Sequence, residues 1–164
     1  MDFNKHYFIE SQLPEFIILI GLPGSGKSTW ISKYNKNNKY IVVSPDDIRR
    51  ELTGDVNDQQ QNNKVWEIAK ENTINSLKKG KSVILDATNT NIEYRKMFMG
   101  GLPPARLMAK VFEVDPEVSK ERISKDIGDG KDRANVPPDI IDKMYDELNK
   151  SKDKLEDEGF EVIR

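Results

Sequence analysis

Residues 21–29 read Gly21-Leu22-Pro23-Gly24-Ser25-Gly26-Lys27-Ser28-Thr29, and the five residues before them, Phe16-Ile17-Ile18-Leu19-Ile20, are all apolar. The pattern G-x-x-x-x-G-K-[ST], placed between a buried strand and a helix, is a phosphate-binding loop. Its glycines let the backbone curl until successive N–H groups point at one anion. The N-terminus of the helix that follows adds partial positive charge. On this reading Pro23, Gly24, Ser25, Gly26, Lys27, Ser28 and Thr29 cradle the phosphates of a nucleoside triphosphate. Lys27 reaches the terminal phosphates, and the Ser28 hydroxyl binds Mg²⁺.

The rest of the chain supplies the elements such a loop needs. Tyr40–Val43, Ser82–Leu85, Leu107–Val114 and the short run Phe160–Ile163 follow Phe16–Ile20 as strand candidates. They are mostly apolar rather than alternating, as parallel strands covered on both faces are. Helical spacing lies between them. Ser28–Tyr34 follows the loop; Val65, Ile68, Ala69, Ile74 and Leu77 mark a helix closed by Gly80; Ile92–Met99 stops at Gly100-Gly101. Ile140, Ile141, Met144, Tyr145 and Leu148 mark another, opened by Pro137-Pro138. Strands alternating with helices predict an α/β fold of the P-loop NTPase/kinase type. Its central, mostly parallel sheet has four to five strands, with helices on both faces. Ligands in such folds sit beyond the carboxyl ends of the strands.

Size and charge narrow the class. The 164 residues predict a single domain over 15–164 after a polar N-terminal leader, 1–14, that holds the lone His6, read as a surface residue. With 26 basic and 28 acidic residues, the net charge of −2 argues against tight non-specific binding to long nucleic acid, which needs many phosphate contacts. It leaves room for an enzyme that grips one nucleic-acid end. The absence of cysteine excludes disulfides and thiol nucleophiles. No apolar run reaches membrane-spanning length and no signal-peptide core is visible, so a cytoplasmic protein with no membrane partner is expected.

The residues after the strands carry the chemistry. Ser44-Pro45-Asp46-Asp47-Ile48-Arg49 follows the second strand. Ser44 as N-cap, Pro45 at the first helical position and Asp47 as the acidic half of a capping box explain three of them. Asp46 and Arg49 remain, three apart and so on one helix face. They read equally as a solvated helix start or as an acid and a cation serving an acceptor. Asp86-Ala87-Thr88-Asn89 follows the third strand, where an acid beside a phosphate loop commonly supports Mg²⁺ and its waters; an Asx-type turn is the structural alternative. Arg122, Lys125, Lys131 and Arg133 surround the glycine-rich Gly128–Arg133, which reads as a mobile lid within about 120–137. Interleaved acids allow a plain solvated face, whereas a closing lid would supply at least one arginine to the transferring phosphate.

Taken together, Gly21–Trp30, the Asp46–Arg49 segment, Asp86–Asn89 with Asn91 and Arg95, and Val136-Pro137 before an Ile/Met/Tyr helix resemble the kinase domain of T-even phage polynucleotide kinase and its bacterial and animal relatives. The resemblance runs over most of Phe16–Leu148. It implies ATP-dependent transfer of the γ-phosphate to the 5′-hydroxyl end of DNA or RNA, as in nucleic acid repair. By the match, Asp46 falls on the general base and Arg49 on the residue that binds the adjacent substrate phosphate. Asp86, Thr88 and Asn89 fall on acceptor-side positions, and Arg122 and Arg133 on lid arginines. Two departures stand out: Ile127–Ala134 is longer and more acidic than a compact basic lid, and the Asp-x-Asp-Gly-Thr motif of a phosphatase domain is missing. Relatives associate, so self-association is an open expectation.

Two rivals use the same motifs. A kinase of a small alcohol, nucleoside, sugar or antibiotic, similar to zeta-toxin kinases, would share the donor site and the acid. A nucleotide-dependent switch or ATPase would share the loop alone; the chain has no Asn-Lys-x-Asp base-reading motif, and Asp86 is followed by Ala87 rather than Glu.

Overall fold

The computed structural model describes residues 12–164; His6 and most of the leader lie outside the described residues. Five strands form one sheet: β1 (Glu15–Gly21), β2 (Tyr40–Val43), β3 (Ser82–Leu85), β4 (Arg106–Phe112) and β5 (Glu161–Val162). Their order is β2-β3-β1-β4-β5, and every pairing is parallel. Six α-helices occur among the described residues: α1 (Lys27–Tyr34), α2 (Pro45–Thr53), α3 (Asn62–Lys78), α4 (Ile92–Met99), α5 (Pro116–Gly128) and α6 (Pro138–Ser151).

β1 is central because its side chains can be buried on both sides. Phe16, Ile18 and Ile20 join one core with Ala69 and Leu77 of α3, Phe98 of α4 and Leu148 of α6. Ile17 and Leu19 join the other with Ile84, against Trp30 and Ile31 of α1. All five of these β1 residues are fully buried. Alternate residues pointing to opposite faces of a strand give this division. A third cluster, Leu22, Ile123 and Ile141, packs the phosphate loop's second residue against α5 and α6.

The strand and helix expectations hold in the centre of the molecule and shift at its edges. β2 and β3 have the predicted limits, and so does α4. Gly80, at φ +74°, closes α3 with its N–H on the Leu77 carbonyl. β4 stops at Phe112 rather than Val114, because Val114 turns away to pack on the Leu22 cluster. β2 is not covered on both faces: Ile41 and Val42 are about 40% exposed, as the sheet's edge position dictates. The loop expected at Gly128–Arg133 lies between two helices. Residues up to Gly128 complete α5, which puts Arg122 on a helix and leaves only 129–137 as loop.

Candidate active site

The carboxyl ends of β1, β2 and β3 open into one cleft of about 1260 Å³. β1 delivers the phosphate loop. Gly24 and Gly26 take φ +71° and +102°, values that side chains rarely tolerate, and the curl they make starts α1 at Lys27. α5 holds this loop from outside: the Ser119 hydroxyl donates to the Pro23 carbonyl at 2.6 Å, and Arg122 Nη1 donates to the Gly24 carbonyl at 2.6 Å. Lys27 Nζ donates to the carbonyls of Gly21 and Leu22 at 3.0 and 2.6 Å. Burial lowers the Lys27 pKa to about 8, aided by the nearby Arg133 and opposed by Asp86 and Asp46.

β3 delivers Asp86. Its main-chain N–H donates to the Val43 carbonyl at 2.9 Å, which ties the ends of β2 and β3 together. Burial raises the Asp86 pKa; Lys27 pulls it down, and Asp46 and Asp47 push it further up. Lys27, Asp86, Asp46 and Asp47 all line the cleft, with Lys27 and Asp86 partly buried and the side chains of Asp46 and Asp47 exposed. Thr88 lines the cleft, and its carbonyl accepts the Gly21 N–H at 2.9 Å.

Asn89 has a different place. It sits at φ +50°, and its amide donates to the Leu19 carbonyl at 2.7 Å, so it fastens this turn to β1 rather than lining the cleft. Asn89, expected on the acceptor side, is placed by the structure in this turn. Fully buried Arg95 braces the same turn from behind, donating to the Asn89 carbonyl at 2.7 Å and pairing with Glu158 at 2.8 Å. Glu147 of α6 accepts from Thr90 and Asn91, both at 3.1 Å.

β2 delivers α2. Ser44 caps the helix as expected, its hydroxyl accepting the Asp47 N–H at 3.3 Å. The reciprocal half of the capping box is absent, because the Asp47 carboxylate binds Arg50 at 2.6 Å instead. Asp46 and Arg49 do meet: Arg49 Nη1 donates to Asp46 Oδ1 at 2.7 Å. The other arm of the guanidinium, Nη2, donates to Asn62 Oδ1 of α3 at 2.9 Å. Arg49 is 5% exposed, whereas the Asp46 side chain is 53% exposed and free to meet a solute.

The loop after α5 lines another side of the cleft through Lys131, Asp132, Arg133, Ala134 and Val136. Arg133 Nη1 donates to Asp126 Oδ2 at 2.8 Å, and a Cβ placed on Gly24 would meet Arg133 Nη2 at 3.4 Å and Arg122 Cβ at 3.3 Å. Both arginines thus lie on the phosphate loop, Arg122 from α5 and Arg133 from the loop after it. Asn62, Ser119 and Asp126 were not visible as site residues in the sequence. Their partners lie on other elements, and no local spacing signals such contacts.

No group of three or more His, Cys, Asp or Glu side chains able to hold a metal occurs among the described residues. Mg²⁺ binds mainly through substrate phosphates and water, with one or two protein oxygens. The Ser28 hydroxyl and the Asp86 carboxylate, both lining the cleft, are such hard oxygen donors. No helix among the described residues is long and apolar enough to cross a membrane.

Comparison with known proteins places this geometry. The profile of the AAA domain family matches residues 16–150. A bifunctional polynucleotide phosphatase/kinase of Schizosaccharomyces pombe is 33% identical over 96 residues, covering 58% of this chain and 20% of the relative. A chain in the structure of the Pnkp1/Rnl/Hen1 RNA repair complex superposes with a TM-score of 0.73 at 25% identity, covering 87% of this chain and 46% of that one. A gluconokinase from Sinorhizobium meliloti shares the fold, with a TM-score of 0.53 at 19% identity over 84% of this chain and 76% of that one. The chain therefore spans about a fifth of the curated relative and under half of the repair-complex chain.

Proposed function

Because the chain belongs to the AAA domain family that its residues 16–150 match, we propose that it acts as a polynucleotide-kinase-like phosphotransferase, moving the γ-phosphate of ATP to the 5′-hydroxyl end of DNA or RNA. The observation that carries this reading is the facing of two charged units across one cleft. The phosphate loop with Lys27 forms one wall, and the Asp46–Arg49 pair forms the other. Similarity to the polynucleotide phosphatase/kinase of Schizosaccharomyces pombe and to the RNA repair complex chain supports a nucleic-acid acceptor.

The reaction is an in-line displacement in which the protein positions groups and balances charge. The loop N–H groups and Lys27 hold the triphosphate. Asp46, exposed to the cleft, accepts the proton of the attacking hydroxyl. Arg49, held between Asp46 and Asn62, grips the phosphate next to that hydroxyl and so fixes its approach. Ser28 and Asp86 would hold Mg²⁺ directly or through water, and the ion when bound neutralises charge on the β- and γ-phosphates. Arg122 and Arg133 add positive charge on the donor side.

The test is an acceptor panel. The chain is incubated with γ-labelled ATP, Mg²⁺ and either 5′-hydroxyl oligonucleotides of DNA and RNA or small alcohols, nucleosides and sugars. Label at the oligonucleotide 5′ end is expected, and Arg49→Ala should weaken acceptors that carry a 3′-phosphate far more than it weakens ATP. Label confined to a small hydroxyl compound would transfer the assignment to a small-molecule kinase; hydrolysis with no labelled acceptor would leave an ATPase.

A further inference from the structure

We infer that Arg50 and Asn57 are positioning residues that hold the lid so that Arg133 lies on the phosphate loop. This rests on the phosphotransferase reading, since it assigns Arg133 a share in neutralising the transferring phosphate.

Two clasps bracket Arg133. On one side, Arg50 Nε donates to Asp132 Oδ2 at 2.7 Å, and Arg50 Nη2 donates to the Asp132 carbonyl at 3.0 Å. On the other, the Asn135 N–H donates to Asn57 Oδ1 at 2.8 Å. Arg50 belongs to α2 and Asn57 to the turn that follows it. The clasps thus fasten the lid to the helix that carries Asp46 and Arg49 and to the turn that follows it. Arg50 is itself oriented by Asp47 at 2.6 Å, which explains why that carboxylate leaves the capping box.

With the chain fixed at 132 and 135, few backbone paths remain for residue 133. The path taken sets Arg133 Nη1 on Asp126 and turns Nη2 toward Gly24. Arg133 Nε is buried and has no hydrogen-bond partner among the described residues, so part of the guanidinium's donor capacity is uncommitted. Arg122 differs. Its Nη1 is committed to the Gly24 carbonyl of the loop itself, whereas Arg133 is anchored to Asp126 of α5. One helix therefore sets both the acceptor-side acid and the arginine that meets the donor.

An ordinary surface ion pair would contribute little. Asp132 is 72% exposed and Arg50 32% exposed on their side chains, so loss of the clasp should leave the fold intact. A positioning role makes a different prediction, because a shift of about 1 Å in a charged group can cost about 100-fold in rate.

The experiment is a double-mutant cycle read by turnover, joined to amide hydrogen exchange. Arg50→Ala should lower kcat about 10- to 100-fold, and the same substitution in an Arg133→Ala background should lower it no further. The charge exchange Arg50→Asp with Asp132→Arg should recover part of the loss. Hydrogen exchange across 129–137 should quicken in Arg50→Ala and in Asn57→Ala, with melting temperature unchanged. Independent, multiplying losses in the cycle would overturn the proposal, as would wild-type kcat in Arg133→Ala or unchanged lid exchange in Arg50→Ala. A wild-type chain that phosphorylates no hydroxyl would refute the functional reading instead, and the exchange measurement would still decide whether the clasps hold the lid.

Discussion

On the donor side of the cleft, the phosphate loop itself offers main-chain N–H groups and one lysine within residues 21–29, and Arg122 and Arg133 reach it from elsewhere. On the acceptor side, Asp46, Arg49 and Asn62 meet across α2 and α3, and Arg50 reaches the lid at Asp132, 82 positions along the chain. A main-chain site needs only glycine at a few positions and a strand and helix to hold it. A side-chain site needs every partner to arrive from its own element. The donor side should therefore tolerate most single substitutions outside its motif, whereas the acceptor side should fail wherever one link is cut.

The largest expected effect lies on the acceptor side. Asp46→Asn should preserve ATP affinity and lower turnover about 10²- to 10⁴-fold, because the general base is lost while the side chain's shape is kept. Equilibrium titration with ATP and steady-state rates on a 5′-hydroxyl oligonucleotide would separate the two quantities. Wild-type turnover would break the division of labour between the two walls.

The next prediction asks whether the donor side is as self-contained as its motif suggests. Gly21 is anchored to Thr88, and the turn from Thr88 to Asn91 is held from behind by Arg95, Glu147 and Glu158. Arg95 and Glu158 have side-chain exposures of 0% and 8%. Glu158→Ala would strand a buried guanidinium, at a cost of about 3–5 kcal/mol. Chemical denaturation measures this directly. A loss below about 1 kcal/mol would mean that the carbonyls of Asn89 and Thr90 suffice for Arg95, and the comparison would sharpen in favour of a donor side built from main chain alone.

The same contrast explains what the sequence made legible. β1, the phosphate loop and α1 follow from a contiguous pattern in which glycine, apolar run and lysine each have a local reason. The pairing of Asp46 with Arg49 was readable as a helical spacing of three, although its use was not. Asn62 holding Arg49, Asp126 holding Arg133 and Arg50 holding Asp132 left no trace, because hydrogen bonds between elements impose no period on the chain. The bond from the Asn89 amide to β1 was hidden for the same reason, since it depends on a left-handed backbone conformation and a partner 70 positions away. The loop read at Gly128–Arg133 does lie between two helices, because its glycines and charges end the helix that runs to Gly128.

A third prediction concerns Lys27, whose pKa of about 8 reflects burial more than its carboxylate neighbours. The triphosphate binds the ammonium form, so ATP binding above pH 8 must take up a proton. Affinity should be flat below pH 8 as far as this group is concerned, and should then weaken about tenfold per pH unit as the free lysine loses its proton. Lys27→Arg, which stays charged, should abolish the slope even if its affinity is lower. Binding isotherms from pH 7.5 to 10 would show the difference, and a flat wild-type profile would mean that the main-chain N–H groups alone determine donor affinity.

The smallest expected effect tests where the two walls meet, at Asp86. Burial raises its pKa above the ordinary 3.8, and Lys27 opposes the rise without cancelling it. The native protein therefore holds this proton at pH values where the unfolded chain has already released it. Stability from this group falls as pH rises through that window, and above the window the whole cost of an ionised, desolvated carboxylate remains. Asn carries no such charge. Asp86→Asn should melt higher than wild type at neutral pH, and the gap should close as pH falls toward 3.8. The same variant should require more Mg²⁺ for turnover if its carboxylate supports the ion. A lower melting temperature at neutral pH would instead mean that attraction to Lys27 outweighs burial, and the floor of the cleft would then be an ion pair that binds the two walls together rather than a strained acid set aside for catalysis.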